Sequence, residues 1–588
     1  MLGKSLSFNL SQRSVASLIT LMALVGLYFG WREFWFLTDD AFIAFRYVSN
    51  AVLGNGYVWN VEPFRAVEGY TSFLHVLILE SVWRLFGTEP PESANLLSLI
   101  FAAVTVLLTT FGAMRMQLSG QLQNIRLYLT SLVLLGLISN VTFLTWSSSG
   151  LETALFNCCF LAWILAVILI VQKGTWWRLA ITTTASLVYL ARPDGMLMLL
   201  GTLVLLIISL LSEIKKRQLK LSWFVSVLPM LVPIIHFIWR KSYYGEWLPN
   251  TYYAKHIAAW PESGIRYLLS FLLEYGIWLW LSVLLIVACK MTVSFIKLKK
   301  ADLKIAERLI SVFQTPPDRR VCTIVAVMTV VLHLSYYTFV IGGDHFEWRV
   351  YSYLPPLLML SFVYFMSLLN FSPGRTIISL ALLIALSIPI PWVHHFQEKK
   401  ITELKIADTV KIKVSNHLPF FLKPLARLNE QLQSWLIDHM VCVRWQEHKM
   451  FLIGQFEFFP RRTLELPPEA GPFPVSYFST VGVAGWVLPK VAVIDGYGLN
   501  DYVIARLPIG PKIHRMMAHD RFAPHAYVAS FLPNVNIMSS GRVRYRQRPP
   551  DFELTREKII AYEKFWDDKL VKRINIPDSL TPFPTKPK

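Results

Sequence analysis

The sequence predicts a polytopic α-helical membrane protein, with about 11 transmembrane helices, that ends in a C-terminal extracytoplasmic α+β domain. Of the 588 residues, 54% are hydrophobic, and the mean hydropathy of +0.45 is too apolar for an ordinary soluble protein. Apolar runs of about 20 residues recur, and each is long enough for a helix to cross a bilayer. After Pro391 these runs give way to short alternating stretches among prolines, which indicate a soluble domain.

The membrane region, residues 1–391, contains the predicted spans. The first is longer than a signal-peptide core and lacks a small-residue cleavage site, so we expect it to remain as an anchor. Residues 71–86 are also apolar, but they are fewer and carry three ionisable side chains, so we expect them to lie on the membrane surface. The predicted spans are 14–36, 93–114, 126–146, 151–172, 178–192, 195–213, 222–240, 265–291, 320–341, 350–371 and 375–391.

The positions of lysine and arginine predict the orientation of the chain. They concentrate in one set of loops, most densely in 213–222 and 291–320, and such loops face the cytoplasm. This places the N-terminus inside, and it explains the formal net charge of +19 better than nucleic-acid binding does, since no such motif is present. The first loop, 37–92, and the soluble domain, 392–588, are then extracytoplasmic. The proline-rich tail, 577–588, is expected to be extended.

Five polar motifs fall in loops on the extracytoplasmic side of this topology. Because ionisable groups near a bilayer tend to be functional, we expect these loops to converge on one site at the membrane surface. The motifs are TDDAFIAFR (38–46), WSSSGLET (146–153), ARPDG (191–195), KSYYGEWLPNTYYAK (241–255) and GGDHFEWRVY (342–351).

Each motif also has an explanation that needs no ligand. Thr38 and Asp39 are good helix-capping residues, and Pro-Asp-Gly favours a plain turn. The serines of the second motif can cap a helix, and the tyrosines of the fourth can form an aromatic belt at the membrane interface. The last motif can be a turn followed by an anchor at the membrane. All of these explanations would have to hold together, so a shared site is the preferred interpretation.

The helix that begins at the two aspartates separates their surroundings. Asp39 and Arg46 are seven residues apart and share one face, whereas Asp40 points about 100° away from Asp39. A carboxylate near a cation stays ionised, and the pKa of the other carboxylate can be set separately by its own surroundings. The two aspartates therefore need not perform the same task.

In this order the motifs resemble the GT-C glycosyltransferases, which take sugars from polyprenyl-phosphate donors. They are most similar to the family of the mycobacterial terminal arabinofuranosyltransferase and its bacterial relatives. The resemblance runs from about residue 30 to about residue 540. Its marks are Asp39-Asp40, Arg46, Gly54-Asn55-Gly56, SGLE at 149–152, Arg192-Pro193, the YYG and P-N-T-Y-Y-A-K segments of 243–255, GGD with Glu347 and Arg349, and IDGYGLNDYVIAR at 494–506.

This resemblance implies a GT-C catalytic domain and a transfer reaction with inversion at the outer face of a bacterial inner membrane. The partners that it implies are a polyprenyl-phosphate sugar, with arabinofuranose as the sugar suggested, a hydroxyl of a cell-envelope glycan and membrane lipid. The alternative is a transporter or flippase of lipid-linked glycan. Transporters usually carry charges within spans, broken helices and internal repeats, whereas the charges here gather at one membrane edge.

The chemistry of transfer assigns roles to the motif residues. We expect Asp39 to take the proton of the acceptor hydroxyl, with Asp40 as the second candidate. Cations should hold the phosphate of the donor, and the candidates are Arg46, Arg192, Lys255 and Arg349. The candidates for contacts with the sugar or the acceptor are Glu152, Tyr243, Tyr244, Asn250, Asp344 and Glu347. No cofactor is required; Asp39, Asp40, Asp344 and Glu347 could form an oxygen site for a divalent metal, although nothing in their spacing demands one.

Overall fold

The computed structural model of the protein describes residues 10–170, 174–217, 220–299, 317–403, 410–509 and 514–571. The predicted tail, 577–588, and much of the basic loop after residue 299 lie outside these ranges. Within them, seven helical segments are long and apolar enough to cross a membrane, so the chain is a multi-pass membrane protein. The seven are Ser11–Glu33, Pro90–Arg115, Pro193–Lys215, Leu221–Tyr244, Arg319–Ile341, Arg349–Leu368 and Pro373–Thr402.

The first part of the chain surrounds the first polar motif with helices. The predicted surface segment forms α3, which packs against α2, α4 and α9. The predicted spans 126–146, 151–172 and 178–192 form helices that are shorter than the seven named above, so the full number of eleven spans stays a prediction. The helices are α1 (Leu10–Glu33), α2 (Asp39–Val52), α3 (Phe73–Phe86), α4 (Pro90–Arg115), α5 (Gly120–Asn124), α6 (Arg126–Ile138), α7 (Val141–Thr145), α8 (Thr153–Leu169) and α9 (Thr175–Ala191).

The middle of the chain holds the later spans and one departure from the prediction. The helices are α10 (Met196–Lys215), α11 (Leu221–Val227), α12 (Leu231–Tyr244), α13 (Asn250–Lys255), α14 (Pro261–Glu274), α15 (Ile277–Lys299), α16 (Arg319–Ser335), α17 (Leu354–Leu368), α18 (Pro373–Leu386) and α19 (Pro389–Glu403). The predicted span 265–291 is bent by 95° between α14 and α15. Gly276 allows the bend with a φ of +60°, which glycine adopts readily.

The region after Pro391 contains both helices and short strands, and its forming a separate α+β domain stays a prediction. Strand β1 (Val475–Phe478) pairs in parallel with β2 (Ala492–Asp495), and β3 (Val535–Ile537) pairs antiparallel with β4 (Val543–Tyr545). The helices are α20 (Lys423–Asp438), α21 (Trp445–Gly454), α22 (Gly482–Val487), α23 (His525–Ser530) and α24 (Arg556–Val571). Helix α22 lies in the connection between β1 and β2, as a parallel pair requires a crossover.

The C-terminal region packs directly on the first loop and on the bent span. One hydrophobic cluster joins Phe42 and Phe45 of α2 to Val483 and Trp486 of α22. Helix α14 packs against α20, and so the first half of the bent span lies against the C-terminal region. The boundary at residue 391 stays a prediction, because these shared contacts tie the two parts of the chain together.

Candidate active site

A cavity of about 440 Å³ opens among the loops that carry the five polar motifs. Residues from all five motifs line it, and two segments of the C-terminal region, at Leu499 and at Arg515–Ala518, complete the wall. The convergence of the five loops on one cavity is the arrangement that the sequence predicted. The ionisable side chains that line the cavity include Asp40, Glu152, Arg192, Asp194, Lys255, Asp344, His345, Arg349 and Arg515.

Backbone contacts hold the first two motifs together at the entrance to α2. The Thr38 side chain caps α2 by accepting the N–H of Asp40 at 3.0 Å. The Thr38 N–H donates to the Ser149 carbonyl at 3.2 Å, and the Ser149 N–H donates to the Phe36 carbonyl at 3.1 Å. Ser149 has a φ of 90°, a conformation that L-residues rarely adopt, and this turn directs Glu152 towards the cavity wall.

The two adjacent aspartates face different surroundings. Asp39 is 9% exposed, and its carboxylate accepts the N–H groups of Gly482 and Val483, both at 2.9 Å, at the start of α22. Burial raises the pKa of Asp39 to about 7. Asp40 lines the cavity, and its carboxylate has no hydrogen bond or ion pair with any residue that the structure describes. The separation of the pair follows the helix geometry, and Asp40 is the aspartate that lines the cavity.

Arg192 stands at the centre of a network of charges on the cavity wall. Its guanidinium lies 3.2 Å from both Glu152 and Asp194, and it donates to the Tyr337 hydroxyl at 2.8 Å. Asp194 also accepts the Tyr337 O–H at 2.7 Å and His333 Nε2–H at 3.0 Å. Arg192 is therefore neutralised by protein carboxylates. Asp194 was not among the predicted site residues, although it belongs to the ARPDG motif.

The last motif contributes a second neutralised arginine and a half-buried histidine. Arg349 binds Asp344 with two hydrogen bonds, at 2.7 and 3.0 Å. His345 was not predicted as a site residue. Its Nδ1 lies 2.7 Å from the Met440 carbonyl, which can only accept, so Nδ1 carries the proton. Burial lowers the pKa of His345 to about 4, so the ring is neutral.

Two cations on the cavity wall differ from Arg192 and Arg349, because neither forms an ion pair with a carboxylate among the described residues. Lys255 forms no hydrogen bond or ion pair within the described part of the chain, and it is half-buried in the wall. Arg515 donates to the carbonyls of Ala258 and Ala259, at 2.7 and 3.5 Å, and likewise forms no ion pair within that part. No sequence motif indicated Arg515, because it lies far along the chain from the five loops.

Arg46 and Glu347 were predicted for the site, but their charged groups bind other parts of the protein away from the cavity. Arg46 is buried beneath α2, where it donates to the carbonyls of Trp59, Gly485, Leu488 and Val491, so the geometry does not support its predicted contact with a phosphate. Glu347 accepts from Arg444 Nη1 at 2.9 Å and from the Trp445 N–H at 3.1 Å. Burial raises the pKa of Glu347 to about 7. Neither side chain lines the cavity.

Three further predicted contact residues also lie outside the cavity lining. Asn250 donates to the carbonyls of the C-terminal loop that contains Leu499, and so it joins α13 to that loop. The Tyr244 hydroxyl donates to the Tyr57 carbonyl at 2.6 Å, and Tyr243 stacks on Trp239 with ring centroids 5.2 Å apart. These side chains support the loops around the cavity, since their polar groups or ring faces are engaged by protein.

The four carboxylates suggested for a divalent metal do not form one site. Asp40 and Asp344 line the cavity, whereas Asp39 and Glu347 accept protein hydrogen bonds elsewhere. Among the described residues, no group of three or more His, Cys, Asp or Glu side chains is arranged to hold a metal ion. The predicted set therefore does not fit a metal cage made by the protein alone.

Comparison with known proteins confirms the resemblance that the motifs indicate. No protein-family model matches the chain. The terminal beta-(1->2)-arabinofuranosyltransferase of Corynebacterium glutamicum is 26% identical over 277 residues, which cover 44% of this chain but only 38% of that relative. The chain also resembles the crystal structure of ArnT from Cupriavidus metallidurans bound to undecaprenyl phosphate, with a TM-score of 0.43, 12% identity, and coverage of 81% of this chain and 85% of that one.

Proposed function

We propose that this chain is a membrane glycosyltransferase that moves a sugar from a polyprenyl-phosphate donor to a hydroxyl of a cell-envelope glycan, with inversion. One observation carries the proposal. Asp40 has no protein partner for its carboxylate within the described residues, and it shares a cavity with two cations, Lys255 and Arg515, that have no carboxylate partner there. Such a site supplies one carboxylate that can act as a base and two positive charges that can bind a phosphate group.

The proposed reaction is a single displacement. Asp40 takes the proton of the acceptor hydroxyl, whose oxygen forms a bond to the anomeric carbon of the sugar. The bond from that carbon to the phosphate oxygen breaks, and the oxygen keeps the electron pair. Lys255 and Arg515 then stabilise the polyprenyl phosphate that leaves. Attack and departure on opposite sides of the carbon invert its configuration.

Arg192 and Arg349, which are paired with carboxylates, have a different role in the proposed reaction. Arg192 and Arg349 are held by carboxylates at 2.7–3.2 Å, so their charges are less available to a phosphate than those of the other two cations. These ion pairs hold Glu152, Asp194 and Asp344 in fixed positions along the cavity wall. Carboxylates fixed in this way can accept hydrogen bonds from sugar hydroxyls and so orient the anomeric carbon.

The sugar and the orientation are further parts of the proposal. Arabinofuranose is the proposed sugar, because the relative from Corynebacterium glutamicum carries that sugar in its name. The N-terminus is proposed to be cytoplasmic and the cavity to open on the outer face of a bacterial inner membrane. The distribution of lysine and arginine supports this orientation, and the common cavity of the five loops is consistent with all five being on one side.

The test uses the full chain in lipid nanodiscs. The protein is incubated with decaprenyl-phosphate arabinofuranose and an oligoarabinoside acceptor, and release of decaprenyl phosphate is measured together with extension of the acceptor. The proposal expects both products from the wild-type protein and neither from Asp40→Asn. If vesicles that contain the protein move the lipid-linked sugar across the bilayer while releasing no polyprenyl phosphate, the chain is a transporter and the proposal fails.

A further inference from the structure

Two pairs of adjacent phenylalanines project from the region that follows the last span. Phe420 and Phe421 are 83% and 63% exposed, and Phe458 and Phe459 are 67% and 52% exposed. Each pair lies outside regular secondary structure, in a loop before or after a helix. Soluble surfaces rarely expose neighbouring aromatic side chains of this size, so such pairs indicate an apolar partner.

The first pair lies beside the end of the last membrane segment. Leu418 and Leu422, which flank the pair, belong to the same hydrophobic cluster as Ile390 and Val393 at the start of α19. Helix α19 belongs to the apolar segment Pro373–Thr402, which is long enough to cross the membrane. The loop that carries this pair is therefore packed where the last span leaves the apolar layer.

The second pair lies beside the start of another span. Arg462, three residues after Phe459, forms an ion pair with Glu89 at 3.0 Å, and Glu89 directly precedes α4. Leu85 and Phe86, at the end of α3, are also strongly exposed next to this point in the chain. The ion pair places the loop that carries this aromatic pair beside the start of α4, and the exposed end of α3 lies just before the same point in the chain.

These two boundaries are on the same side of the helical bundle. Glu33 at the end of α1 forms an ion pair with Lys399 of α19 at 2.5 Å. Trp31, also near the end of α1, donates to the Asn95 carbonyl in the first turns of α4 at 3.2 Å. The C-terminal end of α1 therefore joins the start of α4 to α19, and the two aromatic pairs flank one face.

A basic residue follows each aromatic pair by two positions. These residues are Lys423 and Arg461, and neither side chain forms an ion pair with a residue that the structure describes. Aromatic rings favour the interface between the acyl chains and the headgroups, and lysine or arginine beside them can reach the lipid phosphates. The charge next to each pair therefore suits a lipid surface better than an apolar groove of another protein.

We infer that the C-terminal region rests on the outer leaflet of the bilayer through Phe420-Phe421 and Phe458-Phe459, with Lys423 and Arg461 at the headgroups. The contact holds the region against the membrane at two points that are separate from the cavity. Because Leu499 and Arg515 belong to the same C-terminal region, the membrane contact also keeps these two residues at the cavity wall. This contact with the membrane requires the predicted topology of the chain and does not require any catalytic activity.

The test measures lipid contact at each pair with the full chain in nanodiscs of phosphatidylethanolamine and phosphatidylglycerol. Of the five cysteines, only Cys289 is exposed, so Cys289→Ser supplies the background. Phe420→Cys and Phe458→Cys are labelled with a polarity-sensitive nitrobenzoxadiazole fluorophore. Glu557→Cys, at an exposed position on α24 in the same region, is the matched control.

Lipids with a nitroxide on the acyl chain should quench positions 420 and 458 about twofold more than position 557, and aqueous iodide should show the reverse order. Equal access of iodide to all three positions would overturn the inference. Protection of 420 and 458 from both quenchers would also overturn it, because it would indicate a protein partner or a second copy. If either variant fails to elute as the wild-type protein does, Phe421→Cys or Phe459→Cys replaces it.

Discussion

The Asp39 carboxylate accepts the N–H of Gly482 at 2.9 Å, although the two residues are 443 positions apart in the chain. With Val483 as its second donor, Asp39 occupies the start of α22, where an acid compensates the unsatisfied N–H groups of the helix. The neighbouring Asp40 points into the cavity instead. One aspartate therefore attaches the C-terminal region to α2, and the other remains available for chemistry.

Asp40→Asn should reduce transfer by about 100-fold or more, because a positioned base contributes about 10²–10⁴-fold to such a reaction. The thermal unfolding midpoint should stay close to that of the wild type, since Asp40 has no partner within the described residues. Release of polyprenyl phosphate is the measurement. Full activity in a well-folded Asp40→Asn protein would remove Asp40 from the mechanism.

Asp39→Asn should lower the stability of the folded protein. An amide can accept only one of the two N–H groups that the carboxylate satisfies, so we expect a loss of about 1–3 kcal/mol in the free energy of unfolding. Differential scanning fluorimetry in detergent measures the change in melting temperature. An unchanged melting temperature with abolished transfer would instead make Asp39 the base, as first expected from the motif.

The same carboxyl group predicts a dependence on pH. Burial raises the pKa of Asp39 to about 7 in the folded protein, whereas an unfolded aspartate has a pKa of about 3.9. The folded state holds the proton more tightly between these values, so Asp39 costs the wild type stability as pH rises from about 4 to about 7. The difference in melting temperature between wild type and Asp39→Asn should therefore be larger at pH 5 than at pH 8. Equal differences at the two pH values would show that the carboxylate is ionised at both, and would contradict the raised pKa.

Lys255→Met and Arg515→Gln should each raise the KM for the donor by about 10- to 100-fold, the cost of one hydrogen bond to a charged group. Arg46→Met is the matched control, since this guanidinium bonds backbone carbonyls outside the cavity. It should lower the yield of folded protein, and the folded fraction should keep the wild-type KM. A wild-type KM in both cavity variants would exclude these cations from phosphate binding.

Arg444→Met should destabilise the protein by about 3–5 kcal/mol, because two buried carboxylates lose their common partner. Arg444 binds Glu274 through two hydrogen bonds, at 2.8 and 2.9 Å, and Glu347 through one at 2.9 Å. Glu274 ends α14 at the bent span, so this ion-pair cluster joins three parts of the chain. The melting temperature in detergent is the measurement. A change below about 1 kcal/mol would show that water or protons already neutralise the carboxylates.

Cysteine labelling of intact cells tests the topology. In a Cys289→Ser background, Ser242→Cys should react with a membrane-impermeant maleimide, because residues 241–255 are predicted to be outside. Arg217→Cys, in a loop predicted to be cytoplasmic, should react only after the membrane is permeabilised. Both positions are exposed, so burial cannot explain a difference between them. The opposite pattern would reverse the orientation.

Local sequence patterns predicted most of the helices and about half of the site. An apolar run of bilayer length has few alternatives to a helix, so within the described residues the predicted spans coincide largely with helices, with a break inside 126–146 and a bend inside 265–291. The polar motifs adjoin these helices, so their positions in the chain placed Asp40, Glu152, Arg192, Lys255, Asp344 and Arg349 at the cavity. The bend before α15 escaped prediction because an apolar run indicates the length of a span and not the direction of its two halves.

The sequence by itself determined a multi-pass membrane protein with five polar loops, because hydrophobic length and the distribution of charge act locally along the chain. Only the tertiary structure decided which charges are available within those loops. Arg46 and Glu347 belong to convincing motifs, yet the protein satisfies both, whereas Arg515 belongs to no motif and reaches the cavity. A charge is available to a ligand only if no distant part of the chain neutralises it, and contacts between residues hundreds of positions apart leave no local pattern.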